Sequence, residues 1–338
     1  MTSDHQNRAK TKVVLTIDTE PSIAGAFQEN AAYTPLIHEL ITGEIDGKSE
    51  ALGFLIETLH DHRLVATFFV ETAHTHYFSD KIMGGYVEWL MRAGQDVQLH
   101  LHPCWLSFKG GTPDLSSLVT DNCSDLETGK LAALIVEGIN RISAWTGTRP
   151  SGMRTGNFAT GSSVFEAMRQ AGLQHSSNIC LAAGRPREPE LQVAGGVHNF
   201  DSIRELPVTC FSDVGPIGRG RLRPMQVTAL TAREQIRLLG AAHACENPVI
   251  VIVTHPFEFV KTRNFRYTDL RPNRIVQGRF RQLCQFLAAN SDRFEVLPLS
   301  VAAEALDAPH PWTELTGNWY TAIVRAVENG VNDRLKFI

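Results

Sequence analysis

Four strand-like runs in this chain each stop at a side chain that can do chemistry. Val13-Val14-Leu15-Thr16-Ile17 precedes Asp18, and Asp96-Val97-Gln98-Leu99 precedes His100. Pro150-Ser151-Gly152-Met153 precedes Arg154, and Val249-Ile250-Val251-Ile252-Val253-Thr254 precedes His255. Val/Ile/Leu runs separated by helix-like segments read as buried parallel strands. In parallel α/β folds, ligands bind and catalysis happens at the carboxyl ends of such strands. An acid, imidazoles and a guanidinium at four strand ends are therefore expected to meet in one site.

At 338 residues the chain is long enough for one large α/β barrel. Strand–helix alternation over residues 12–305 predicts a distorted (β/α) barrel of about seven strands, followed by a C-terminal helical extension over 306–338. Strands are expected at 12–18, 64–70, 96–100, 173–179, 203–208, 248–254 and 294–297, besides the one before Arg154. Helices are expected at 81–93, closed by Gly94, and at 126–145, 162–171, 231–245 and 274–289, with another after Ser49 as its cap. Residues 21–48 read as a loop too long for a tight connection, and with 109–128 they are expected to shape a substrate cleft. In the tail, residues 319–327 form an amphipathic helix, packed against the barrel or a partner subunit of a homo-oligomer.

Composition excludes several function classes. No apolar run approaches bilayer-spanning length, although 43% of residues are hydrophobic. Residues 1–12 are polar and carry no secretory signal, so a cytoplasmic location is expected. A net charge of −4 with dispersed basic residues points away from nucleic acid. The six cysteines form no C-x-x-C pair and are expected to be reduced.

Asp18 and Glu20 stand two positions apart at a strand end, which places both carboxylates on one face. His100 and His102 repeat that spacing, and Pro103 biases His102 toward extended backbone. Two imidazoles and a carboxylate form the ligand set that leaves an open position on Zn²⁺ or Fe²⁺. Arg154 can orient a carboxylate or bind substrate, and His255 suits a general acid or base. Asp201 and Glu205 flank a short strand, and either can pair with Arg154 or be a surface acid. Singly, each has a bland alternative: a solvated acid pair, a structural histidine, an ion-paired arginine. The combination is what points to a metal site.

At these residues the chain resembles the polysaccharide deacetylase family, also called the NodB-homology domain or carbohydrate esterase family 4. The landmarks are Leu15-Thr16-Ile17-Asp18-Thr19-Glu20, Ala66-Thr67-Phe68-Phe69-Val70, residues 96–105, residues 152–158, Glu205-Leu206-Pro207-Val208 and Val253-Thr254-His255-Pro256. It is most similar to the branch associated with surface-polysaccharide biosynthesis. The resemblance implies a distorted (β/α) barrel, a divalent metal (often zinc), and hydrolytic removal of an acetyl group from an N-acetylated sugar. It implies Asp18 as base, Glu20 and His100 as metal ligands, Arg154 as the arginine that orients the base, and His255 as the acid for the leaving group. Two positions depart from the family pattern. Thr19 separates two acids that are usually adjacent, and position 104, where the family's second metal histidine can fall, is Cys. His102 is therefore expected as third ligand, with Cys104 as the alternative. Two other readings fit the same residues: a deformylase or other hydrolase of non-peptide C–N bonds, and a catalytically impaired carbohydrate-binding relic.

Overall fold

A computed structural model of the chain describes residues 8–28, 32–214, 220–310 and 312–334. Parts of three expected segments lie outside the described residues: 1–7 of the polar N-terminus, 29–31 of the long loop, and 311 and 335–338 of the tail.

The strands form where branched side chains stiffen the backbone into extended geometry and both faces are covered. Those of the main sheet are β1 (Thr11–Thr19), β2 (Thr67–Glu71), β3 (Asp96–Leu101), β4 (Gly152–Thr155), β5 (His175–Ser176), β6 (His198–Phe200), β7 (Ile203–Glu205), β8 (Val249–Thr254) and β9 (Phe294–Val296). All of β8 is buried, side chain by side chain. The nine strands make one sheet in the order β6-β7-β5-β4-β3-β2-β1-β8, with β9 also paired to β1. From β7 to β8 every pairing is parallel, and only β6 runs antiparallel. The architecture is thus a curled, distorted (β/α) barrel.

Two details produce the distortion. One edge of β1 is paired with β8 along Lys12–Ile17, whereas the other is shared, β9 taking Thr11–Val13 and β2 taking Thr16–Thr19. On the far edge of β8 irregular chain substitutes for a strand: Thr209 N–H donates to the Val251 carbonyl and Val253 N–H to that of Met225.

Helices cover the sheet: α1 (Leu52–Asp61), α2 (Asp80–Arg92), α3 (Thr128–Thr146), α4 (Ser162–Gln170), α5 (Ala232–Ala244), α6 (Arg274–Ala289), α7 (Leu299–Glu304) and α8 (Trp319–Arg334). Thr231 caps α5 by accepting the Glu234 N–H, and Gly94 follows α2 with φ +69°, the left-handed turn that glycine makes without a Cβ clash. Ser49 differs from expectation. It lies in a short hairpin (Glu44–Ile45 with Lys48–Ser49), and Ala51 is the residue before α1. Its hydroxyl nevertheless accepts the Gly53 N–H at 2.9 Å, so the capping chemistry survives from two residues further out. No helix among the described residues is long and apolar enough to cross a membrane.

The tail helix α8 runs past the expected end at 327 to Arg334. Its anchor is ionic. Arg325, only 4% exposed, donates to Glu234 at 2.6 Å and to Asp213 at 2.5 Å.

Candidate active site

Register gathers the strand ends. Glu71 on β2 is opposite His100 on β3, which is opposite Arg154 on β4. On the other side of β1, Ile17 pairs with Thr254, so Asp18 and His255 leave their strands at the same level. Each strand therefore delivers its reactive side chain to one rim.

Arg154 is the hub. It is fully buried, with its guanidinium over the Phe69 ring at 4.4 Å. One terminal nitrogen donates to Asp18 Oδ1 at 2.7 Å and to Thr16 Oγ1 at 2.9 Å. The other donates to Ser177 Oγ and Nε donates to the Ser177 carbonyl. Every donor direction that faces a partner is thereby fixed, and Asp18 Oδ1 is held with it. Neither Asp201 nor Glu205 touches this guanidinium. Asp201 pairs with Arg169 at 2.8 Å on the surface. Glu205 is buried and accepts from Ser176, Asn178 N–H and Ile179 N–H, a brace for the loop after β5, and burial raises its carboxyl above the usual range.

The second grouping is Glu20, His100 and His102. Both imidazoles spend Nδ1 on an outer oxygen: His100 Nδ1 donates to the Arg154 carbonyl at 2.8 Å, and His102 Nδ1 to Asp121 Oδ2 at 2.9 Å. Both then present Nε2 to the same atom, Glu20 Oε2, at 2.8 and 2.6 Å. In their neutral forms these rings bring lone pairs, not protons, to an oxygen that also has only lone pairs. Burial opposes ionisation of Glu20, but the charge of His102 and hydrogen bonds from both rings hold its carboxyl well below the usual range. His102, likewise against its burial, is held well above the usual imidazole range by Glu20 and Asp121. Such a point is filled either by protons on the rings or by a cation. The ligand atoms of this trio lie within 4.8 Å of one another. Ligating histidines typically donate their other nitrogen to a carboxylate or carbonyl, as both do here. The donor set fits a divalent cation.

Cys104 belongs to a different trio, with His102 and Asp121. Burial, together with the Asp121 charge, pushes its thiol well above the usual range. A cation there would also have to take the Nδ1 of His102 from Asp121. His102, not Cys104, stands with Glu20 and His100.

His255 completes the rim. Its Nε2 lies 3.7 Å from Asp18 Oδ2, the oxygen that Arg154 leaves open. Its Nδ1 donates to Glu258 Oε1 at 3.0 Å, and Glu258 also accepts from Thr254 and Gln226. Burial disfavours the charged ring, but the Glu258 bond and charge, with Asp18 and Glu20 behind, push it up to about 9.

Beside Glu20 and His102 opens a cavity of about 820 Å³, with Phe27, Phe257, Phe265 and Tyr267 in its walls. Two loops clasp each other over it. Arg266 donates to the carbonyls of Ala24 and Thr34, and the Tyr33 and Phe265 rings meet edge to face at 5.3 Å. From the 21–48 loop, residues 21–25, Phe27, Gln28 and Leu40 line the cavity, as does Asp121 of the 109–128 segment.

No protein-family model matches the chain, nor does any curated protein sequence. Solved structures do. One from Mycobacterium smegmatis, described as a polysaccharide deacetylase, aligns over 92% of this chain and 96% of its own at 16% identity and a TM-score of 0.50. The chain has the polysaccharide deacetylase fold. Two further matches share less of the shape. A family 4 carbohydrate esterase from Streptomyces lividans in complex with acetate aligns over 84% of this chain and 91% of its own, at 13% identity and TM-score 0.41. A protein from Bacillus anthracis described as a family 4 pseudoenzyme aligns over 88% and 66%, at 11% identity and TM-score 0.43.

Two acids of this deacetylase-fold rim escape a reading of strand ends, because neither sits on a strand. Glu258 follows His255 by one short turn, Pro256–Phe259, and the spacing of three was visible in the sequence. Asp121 comes from the loop after Pro103, where no periodicity marks it; its other contacts are Asn157 and the Cys104 N–H.

Proposed function

We propose that this chain is a metal-dependent hydrolase that removes an acetyl group from an N-acetylated sugar. The observation that carries the reading is the meeting of two imidazole Nε2 atoms and one carboxylate oxygen at a single point, beside an acid–histidine pair 3.7 Å apart.

Glu20, His100 and His102 would hold the cation, with zinc the best match to two imidazoles and a carboxylate. Such an ion lowers the pKa of water from about 15.7 to about 7 and polarises a carbonyl oxygen. Asp18 serves as base, taking a proton through Oδ2 while Arg154 fixes Oδ1 and keeps the carboxylate from turning. His255, charged near neutrality because Glu258 backs it, gives its proton to the departing amine. Its Nδ1 bond to Glu258 aims Nε2 at the rim, where base and acid face each other. The aromatic walls of the cavity suit the apolar faces of a sugar ring.

The test is elemental analysis of the purified protein together with release assays on N-acetyl and N-formyl sugars, free and carrier-linked. Zinc near one per chain with acetate release supports the reading. Formate release alone moves the substrate to a formamide, and glycan binding without metal or product marks a relic.

A further inference from the structure

The helix α8 is amphipathic with its faces reversed. Toward the barrel it turns Thr321, Arg325, Glu328 and Asn329, and these make its bonds: Arg325 to Glu234 and Asp213, and Glu328 and Asn329 each at 2.6 Å to Arg279. Outward it turns Trp319, Tyr320, Ile323, Val327 and Val331, with Trp319 63% and Val327 61% exposed. Between residues 319 and 331 no exposed position of this helix is charged. A helix bathed in water carries its charges on that face.

The outer face has a relief. Residues 319, 323, 327 and 331 form one ridge at a spacing of four, and Ala326 and Gly330 form a shallow row beside it. Glycine is costly inside a helix. Nothing among the described residues requires it at 330, because a Cβ placed there would meet none of their atoms within 4 Å. The notch is open to the outside.

We infer that α8 packs antiparallel against α8 of a second copy of this chain, about a two-fold axis between residues 326 and 327. In that register large meets small: Ile323 enters the notch at Gly330 of the partner subunit, and Val327 lies over Ala326 of the partner subunit. At the ends charge meets charge. The Arg233 guanidinium sits over the Tyr320 ring at 5.3 Å, and Tyr320 stands level with exposed Asp333 of the partner subunit. Two-fold symmetry repeats each contact. Parallel pairing would instead set glycine on glycine and Arg233 on Arg233. A lipid surface is the weaker occupant, since helices seated on anionic lipid are rich in Lys and Arg on their polar flank, and this outer face has none between 319 and 331.

The inference is independent of the catalytic reading. Sedimentation of the full-length protein tests it, with a species of twice 37.4 kDa expected at micromolar concentration. Val327→Glu and Gly330→Leu should each weaken the dimer by about 30-fold or more, as loss of a central interface contact does. Asp333→Arg should weaken it by about three- to tenfold through the end pairs, and adding Arg233→Asp should restore it. Circular dichroism should be unchanged for Val327→Glu, whose side chain points away from the anchoring ion pairs. Ala326→Cys, close to the axis, should form a disulfide-linked dimer on oxidation beyond the background from exposed Cys245. A monomer at all concentrations overturns the inference. So does a dimer indifferent to Val327→Glu and Gly330→Leu, or a monomer whose binding to anionic vesicles is abolished by those changes.

Discussion

Two buried ionic clusters in this molecule follow opposite rules. Under α8, guanidinium and carboxylate alternate: Arg325 bridges Glu234 and Asp213, and Arg223 reaches Asp213 from the other side. At the rim, Glu20 Oε2 meets two imidazole nitrogens whose rings have already given their Nδ1 protons to Arg154 and Asp121. The first cluster supplies its own counter-charges, two guanidinium groups to two carboxylates, although Asp213 Oδ1 and Glu234 Oε2 accept no bond. The second runs out of protons at one point. A scaffold network closes on itself, whereas a ligand site leaves a coordinate for something else.

The sharpest way to break that contrast is to remove a ligand. His100→Ala should leave the purified protein with a small fraction of its metal, because site affinity depends on the full donor set, and turnover should fall to background. Full metal stoichiometry in that variant would remove His100 from the ligand set. His255→Gln should separate the two halves of the rim. Metal content stays near one per chain while kcat drops by roughly 10²–10⁴, the usual worth of a positioned general acid. Metal loss in His255→Gln would mean that the two groups are not distinct.

The closed cluster answers to a different assay. Arg325→Ala strands Glu234 beneath α8 and leaves Asp213 with Arg223 alone, and removing one member of a buried pair costs about 3–5 kcal/mol. Denaturant unfolding should show this loss, with metal content per folded molecule unchanged. An Arg325→Ala protein as stable as the parent would mean that solvent reaches Asp213 and Glu234.

How far the sequence foretold this division depends on sequence distance. The parallel strands were legible because β1 and β8 are continuous apolar runs, and their ends named Asp18 and His255 at once. The strands β5 and β7 are only two and three residues long, so their expected limits ran several residues beyond the ladders. Asp201 and Glu205 were equal candidates for Arg154 because their strand shows acids at both ends. Only the fold turns one to the surface and buries the other under Ser176 and the Asn178 amide. The apolar spacing of α8 was legible too, but periodicity fixes a face without saying what covers it. The charges that seat this helix come from positions 213 and 234, far away in the chain.

Asp121 is the outer partner that links the open cluster to its loop, and Asp121→Asn tests it more gently than loss of a ligand. An amide there can keep a hydrogen bond to His102 Nδ1 but not the charge. Metal affinity should fall by about 10–100-fold, the usual effect of changing an outer partner, with the melting temperature of the metal-free protein little altered. Equilibrium dialysis with a competing chelator reads the difference, and an unchanged affinity would reduce Asp121 to a loop contact.

The smallest expected effect concerns pH. Glu258 holds the His255 ring up at about 9 against its burial, and the ordinary imidazole value is about 6.5. A group whose value is raised on folding contributes stability that is complete below the ordinary value and disappears as pH climbs through the raised one. The proton-donating form is populated over the same range, so the alkaline limb of kcat should fall near 9. Glu258→Gln keeps an acceptor for Nδ1 and removes the charge, which should move that limb toward 6.5 while the plateau on its acid side changes little. An unmoved limb in Glu258→Gln would mean that Asp18 and Glu20 alone keep His255 charged, and that Glu258 serves only to tie His255 to Thr254 and Gln226.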